Sequence, residues 1–145
     1  MDYARLWFSF RGRLNRGKYW VVTLINLAVL FALFFIGFYT GSWTAFTIAG
    51  IAFIPVLVSG FAIAVRRLHD RDKSAWWLLL FYALPAVLHG VRDELVKVQE
   101  TTAFFLAFAC IVLSAIISIW ALVELGFLRG TSGPNRYGPD PLASM

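Results

Sequence analysis

The sequence predicts an all-α, polytopic integral membrane protein: a compact four-helix transmembrane bundle, with a third span that is short and reads either as a kinked crossing or as a re-entrant segment. Three observations predict it. Of 145 residues, 60% are apolar and only 14% charged, whereas a soluble domain runs nearer half and a quarter. With a mean hydropathy of +0.74, too few polar side chains remain to cover a water-facing surface. Three stretches lack any charge for longer than the roughly 18 residues that separate a membrane helix from a buried core helix, and the charges that remain gather between them.

The first stretch, 19–39, follows a basic segment (1–18) with Arg5, Arg11, Arg13, Arg16 and Lys18. It is too long for the apolar part of a signal peptide and no small-residue cleavage site follows, so it is expected to act as an uncleaved anchor. The second, 44–65, is separated from it by an uncharged connection, Thr40 to Trp43. The fourth, 102–123, is equally free of charge. At ~1.5 Å per residue each reaches at least ~30 Å, the thickness of the hydrocarbon core. Between them, 75–91 is shorter, contains Pro85 and opens on Trp76 and Trp77. Trp20, Tyr39, Trp43, Trp76 and Trp77 stand at span ends, where amphipathic rings anchor in the interface.

Basic residues collect in short cytoplasmic loops. With four spans, the segment 1–18, the connection 66–74 and the tail 124–145 lie inside with 11 of the 13 Lys and Arg, and only Arg92 and Lys97 lie outside. A three-span alternative divides them equally well. Four spans are favoured because the loop after 75–91 is net acidic, with Asp93, Glu94 and Glu100. The amino terminus is expected in the cytoplasm of a bacterial cell, with the tail on the same side, as one transmembrane domain over 1–145.

Three motifs flank the spans. The first, Phe8-Ser9-Phe10-Arg11-Gly12-Arg13-Leu14-Asn15-Arg16-Gly17-Lys18-Tyr19-Trp20, interleaves cations with aromatics, as suits a segment in the headgroup layer. The plain alternative is a topology signal alone. The second, Arg66-Arg67-Leu68-His69-Asp70 continued to Ser74-Ala75-Trp76-Trp77, places Arg66 and Asp70 on one helix face if the span continues past Val65. Asp72 or Ser74 is positioned to cap the next helix. His69 titrates near neutrality, but a structural role for His69 and Asp70 outweighs a proton relay or a metal site, because a metal needs several convergent ligands and the other histidine, His89, is distant in sequence. The third, Gly133-Pro134-Asn135-Arg136-Tyr137-Gly138-Pro139-Asp140-Pro141, is a run of turns stiff enough to pack on something. The lone Cys110 permits no disulfide, and no phosphate loop, nucleophile elbow or Cys/His cluster is present in the sequence. No cofactor or metal is expected, and nucleic acid is not an expected partner for basic residues pressed against a membrane.

Together these motifs resemble the small bacterial inner-membrane proteins grouped as domain of unknown function 805, over about Phe8 to Pro141. The resemblance implies a helical inner-membrane protein and carries no established reaction, cofactor or catalytic residue. The candidate interaction residues are those of the motifs: Gly12, Arg13, Arg16, Trp20, Arg66, Arg67, His69, Asp70, Ser74, Trp76, Trp77, Asn135, Arg136, Tyr137, Gly138, Asp140 and Pro141. The favoured expectation is a non-enzymatic structural or interaction protein that binds anionic lipid or a partner protein, or a second copy of itself, at its cytoplasmic face. There Asp70 and Asp140 would pair with Arg13, Arg16, Arg66 or Arg67. The alternatives are a small channel or carrier, with Pro55, Gly60 and Pro85 as flexible points and His69 at the gate, and a lipid-modifying enzyme using His69, Asp70 and Asp72.

Overall fold

A computed structural model describes residues 3–98 and 100–143, and these form helices, turns and a short tail with no β-strand. The helical membrane protein expected from composition is what the chain forms, and three of its helices are long and apolar enough to cross a bilayer. The residues fall into two compact units, 1–72 with 129–145, and 73–128.

In the first unit, α1 (Tyr3–Phe8) precedes α2 (Arg16–Thr40) and α3 (Trp43–Asp70). Asn15 starts α2: its backbone is extended, and its side chain accepts the otherwise orphaned N–H of Lys18 at 2.9 Å. Gly41 stops the helix in the left-handed conformation (φ +58°), returning its N–H to Gly37, a geometry a Cβ would resist. Two residues later α3 begins, so the helices form a tight hairpin. A Cβ on Gly37 would stand 3.1 Å from the Phe46 ring, so the missing side chain lets the two backbones approach near the turn. Deeper in the hairpin, Asn26 donates to Ser59 Oγ at 3.1 Å, both residues being buried. Such a contact holds helices together where lipid supplies no hydrophobic drive between them. Pro55 lies within α3 without ending it.

The second unit is another helical hairpin. The stretch read as 75–91 is helical over 77–97, first through a π-helical turn, Leu79–Ala83, and then as α4 (Leu84–Lys97). After a short connection, α5 (Thr101–Leu122) returns along it and ends in a second π-helical turn, Val123–Phe127. Ala103, Ala107, Ser114 and Ile117 are the buried residues of α5, and with Cys110 their spacing traces one face at alternating four- and three-residue steps. Trp120, near the end of α5, meets the beginning of the preceding helix edge-on: its ring lies 5.7 Å from Trp77 and 5.5 Å from Phe81. Beside them Lys73 pairs with the buried Glu124 at 2.8 Å and sits 4.2 Å over the Trp77 ring. The two helices therefore run antiparallel. Ser74 does not cap with its side chain; its carbonyl accepts the N–H of Trp77 in the turn that opens this unit.

Candidate functional site

The last turn of α3 is where the first unit concentrates its polar groups. Ala62 through Leu68 are all buried, and so is Asp70. Four charges thereby lie at or beneath the surface: Arg13, Arg66, Arg67 and Asp70. Burial on this scale needs counter-charges or hydrogen-bond acceptors for the buried groups.

Asp70 supplies the negative charge. Its Oδ1 accepts from Arg13 Nε at 3.0 Å and its Oδ2 from Arg67, so each carboxylate oxygen has its own guanidinium. Arg67 is the i,i+3 neighbour on the same helix, whereas Arg66, the i,i+4 residue, instead donates to the carbonyl of Leu6 in α1.

Arg13 joins three parts of the chain. Besides Asp70, it donates to the carbonyl oxygens of Gly133 (2.6 Å), Gly138 (3.4 Å) and Thr131 (2.5 Å). A planar five-donor fork can do this; a lysine ammonium cannot hold the same four acceptors. Gly12 precedes it at φ +86°, and the Gly12 carbonyl accepts from His69 Nδ1 at 3.3 Å. The N–H of Leu14 bonds the Arg66 carbonyl at 3.2 Å.

The tail closes the site. Thr131 donates its backbone N–H to the Asp70 carbonyl at 2.8 Å, and Asn135 donates its side-chain amide to the His69 carbonyl at 2.9 Å. These are two of the carbonyls a helix C-terminus leaves without intrahelical partners. Asn135 and Gly138 exchange N–H···O=C bonds at 3.0 Å each, forming a turn that lays Tyr137 flat on His69 with ring centroids 3.8 Å apart. Arg136 pairs with Asp72 at 3.1 Å and bonds its carbonyl at 2.6 Å. Gly130 is needed for a different reason: a Cβ there would stand 2.7 Å from Asp70 Oδ1 and closer still to Oδ2.

Most motif residues are thus brought together: Asp70 takes two of the arginines expected for it, Arg13 and Arg67, whereas Asp140 departs from the expected pairing. Asp140 does not bridge to an arginine. It accepts the backbone N–H groups of Leu142 (2.9 Å) and Gly133 (3.1 Å), organising the tail's own turns ahead of Pro141. Those N–H bonds, Leu142 first, hold its carboxyl below the ordinary aspartate range, with Arg13 and Arg129 adding to them and burial opposing. Arg16, at the first turn of α2, lines a cavity beside Asp70 and Asp140. Trp20 stands edge-on to Tyr19 at 5.9 Å. Ser74, Trp76 and Trp77 belong to the second unit, where Trp76 is exposed and Trp77 joins the aromatic group around Trp120. Sequence reasoning missed Gly130 and Thr131, although the run Gly130-Thr131-Ser132-Gly133 is a visible turn signal ahead of the tail motif. Among the described residues no three His, Cys, Asp or Glu side chains gather as metal ligands would.

Comparison with known proteins places the chain among membrane proteins of the inner membrane. The inner membrane protein YhaH of Escherichia coli K12 is 31% identical over 139 residues, covering 92% of this chain and 87% of the relative. YhaI, also an inner membrane protein of that strain, is 33% identical over 136 residues, with 92% and 86% covered. The uncharacterized protein YiiR of the same strain is 28% identical over 144 residues, with the same coverage. No solved structure matches the chain. Residues 7–139, from just before the Arg13 segment through the tail turns, match the profile described as protein of unknown function DUF805, and the chain belongs to that family.

Proposed function

We propose that this protein is a non-enzymatic structural or interaction protein of the bacterial inner membrane, with a cationic cytoplasmic rim that engages anionic lipid headgroups or an acidic partner, a second copy of the chain included. One observation carries the reading: Asp70 ties the amino-terminal segment, the end of α3 and the tail into one junction through Arg13, Arg67 and Thr131. The polar groups of the motifs are consumed in holding segments together, while Arg11 and Arg129 are exposed around them. Each cation near an anionic leaflet contributes on the order of 1 kcal/mol of membrane attraction. His69, the candidate gate of a transport reading, is held by Gly12 and covered by Tyr137, which favours a structural role for it.

The same junction supports four crossings. The chain leaves α3 at Asp70 and is back beside Asp70 by Thr131. On this reading, with the junction at one membrane face, the segment between would cross the bilayer an even number of times. With α5 as one crossing, the helix over 77–97, antiparallel to it, is the other. The basic-residue distribution then puts both ends of the chain in the cytoplasm.

The lipid part of the proposal is tested by native mass spectrometry of the full chain released from nanodiscs of phosphatidylglycerol and phosphatidylcholine. Retention of the anionic lipid, reduced severalfold in Arg11→Gln/Arg129→Gln, is expected. Equal retention of both lipids in wild type and variant would contradict it.

A further inference from the structure

The amino-terminal segment carries two large apolar side chains that the first unit leaves uncovered. Phe8 is 47% and Phe10 45% exposed, and Arg11 beside them is exposed as well. The other apolar residues of the segment face the protein: Leu14 is buried, and Leu6 and Trp7 are half-buried where α1 packs on α3. The rings of Phe8 and Phe10 are therefore turned outward on a segment whose remaining apolar surface is turned in.

The height of the segment is set by the bonds that tie it down. The Arg66 guanidinium donates to the carbonyl of Leu6, and the Arg66 carbonyl accepts the N–H of Leu14 at 3.2 Å, so both ends of the segment are held at one residue. Arg66 follows Val65, the last residue of a charge-free run. Between those ties the Gly12 carbonyl meets His69 and Arg13 meets Asp70, one helical turn beyond Arg66, a rise of ~6 Å. The polar layer on each face of a bilayer is roughly 5–7 Å deep. With Val65 at the edge of the hydrocarbon, the segment 6–14 falls within that layer, and a side chain that leaves the protein there enters lipid.

The chemistry of the segment agrees with that medium. A cation next to outward aromatic rings suits an interfacial segment, with the rings at the acyl boundary and the guanidinium on the phosphates. The six residues of α1 are too few to form a stable helix on a bilayer by themselves. Here the segment is already fixed by Arg13 and Arg66 and joined to α2, so little ordering or association entropy opposes insertion.

We infer that Phe8 and Phe10 form a shallow wedge in the cytoplasmic leaflet, inserted at the boundary between headgroups and acyl chains, with Arg11 on lipid phosphates. The inference deepens the rim-binding reading and rests on its placement of this rim at the cytoplasmic headgroups, adding apolar insertion to electrostatic attraction.

The test uses the full chain in a Cys110→Ser background, with a nitroxide label on Phe8→Cys or Phe10→Cys, in nanodiscs of phosphatidylethanolamine and phosphatidylglycerol. Phe34→Cys, exposed within α2, and Ser132→Cys, exposed in the tail, supply the two reference depths. Collision of the label with oxygen, which concentrates among acyl chains, is compared with collision with a water-soluble nickel chelate. The oxygen-to-nickel ratio at positions 8 and 10 is expected to be severalfold that at 132 and below that at 34. Both positions are on the surface, so the labelled chains should melt as the parent does, and either position alone suffices for the reading. Ratios at 8 and 10 equal to that at 132 would place the rings in water and overturn the wedge, leaving the electrostatic rim reading standing. Dipolar broadening between labels that disappears on dilution with unlabelled chain would assign the rings to a second copy and overturn the lipid. High ratios together with equal retention of phosphatidylglycerol and phosphatidylcholine would sustain the wedge and sink only the anionic-lipid part of the rim reading.

Discussion

Arg13 and Asp70, 57 positions apart in the chain, form a buried ion pair with Nε 3.0 Å from Oδ1. The remaining donors of the same guanidinium lie on three carbonyls of the tail. The stability of the first unit therefore turns on a few buried charges, and it should respond sharply to their removal.

Asp70→Ala leaves Arg13 and Arg67 buried without their counter-charge, a change that typically costs about 3–5 kcal/mol. The expected outcome is a large drop in melting temperature in detergent. An unchanged melting temperature would mean that Asp70 is kept for function rather than for folding. Arg13→Lys keeps the charge but loses the fork, and should cost less, about 1–3 kcal/mol.

Gly130→Ala should destabilise the protein although it adds a single methyl, because that carbon would overlap the Asp70 carboxylate. A Cβ on Gly60, in the middle of α3, would meet nothing within 4 Å, and Gly60→Ala should be neutral or stabilising by up to about 1 kcal/mol. Opposite signs for the two substitutions in thermal unfolding are the check.

Ser59→Ala removes the acceptor of Asn26 within the hairpin. Hydrogen bonds between membrane helices average about 0.6 kcal/mol, so the variant should fold with a small loss, measurable by unfolding in mixed micelles. A loss several times larger would mean that this pair carries more than helix packing.

The tail should loosen in acid. The Asp140 carboxyl is held below its ordinary value of 3.8 by the Leu142 and Gly133 N–H groups, so its ionised form prefers the folded tail. That contribution is present above the unfolded-state value and is lost as pH falls through the lower folded-state value. Hydrogen exchange of residues 133–142, corrected for the intrinsic rate, should show protection holding at pH 5–7 and falling below roughly pH 4. In Asp140→Asn the step should be absent.

Much of this was legible in the sequence where bilayer physics alone sets the pattern. The charge-free runs 19–39, 44–65 and 102–123 each lie within or nearly coincide with a long helix, since their length answers only to membrane thickness. The convergence of motif residues on Asp70 was also legible, because charges excluded from the spans had few other places to go. The individual pairings were not. Asp140 reads as an ion-pair partner until the turns of the tail place two N–H groups on it. Gly130 looks like any loop glycine, because its requirement comes from a carboxylate 60 positions away in the chain. The π-helical turns at Leu79–Ala83 and Val123–Phe127 left no mark in the hydrophobic period. They lie at the end of the second hairpin where Trp77, Phe81 and Trp120 crowd together.

Sidedness tests the central claim most directly: the tail meets the amino-terminal segment and the end of α3 on one side of the membrane. In a Cys110→Ser background, single substitutions Ser9→Cys, Ser42→Cys, Val98→Cys and Ser132→Cys can be labelled with an impermeant maleimide in spheroplasts and in inside-out vesicles. Positions 9 and 132 should be labelled only in inside-out vesicles, and 42 and 98 only in spheroplasts. Labelling of Ser132→Cys in spheroplasts would contradict it.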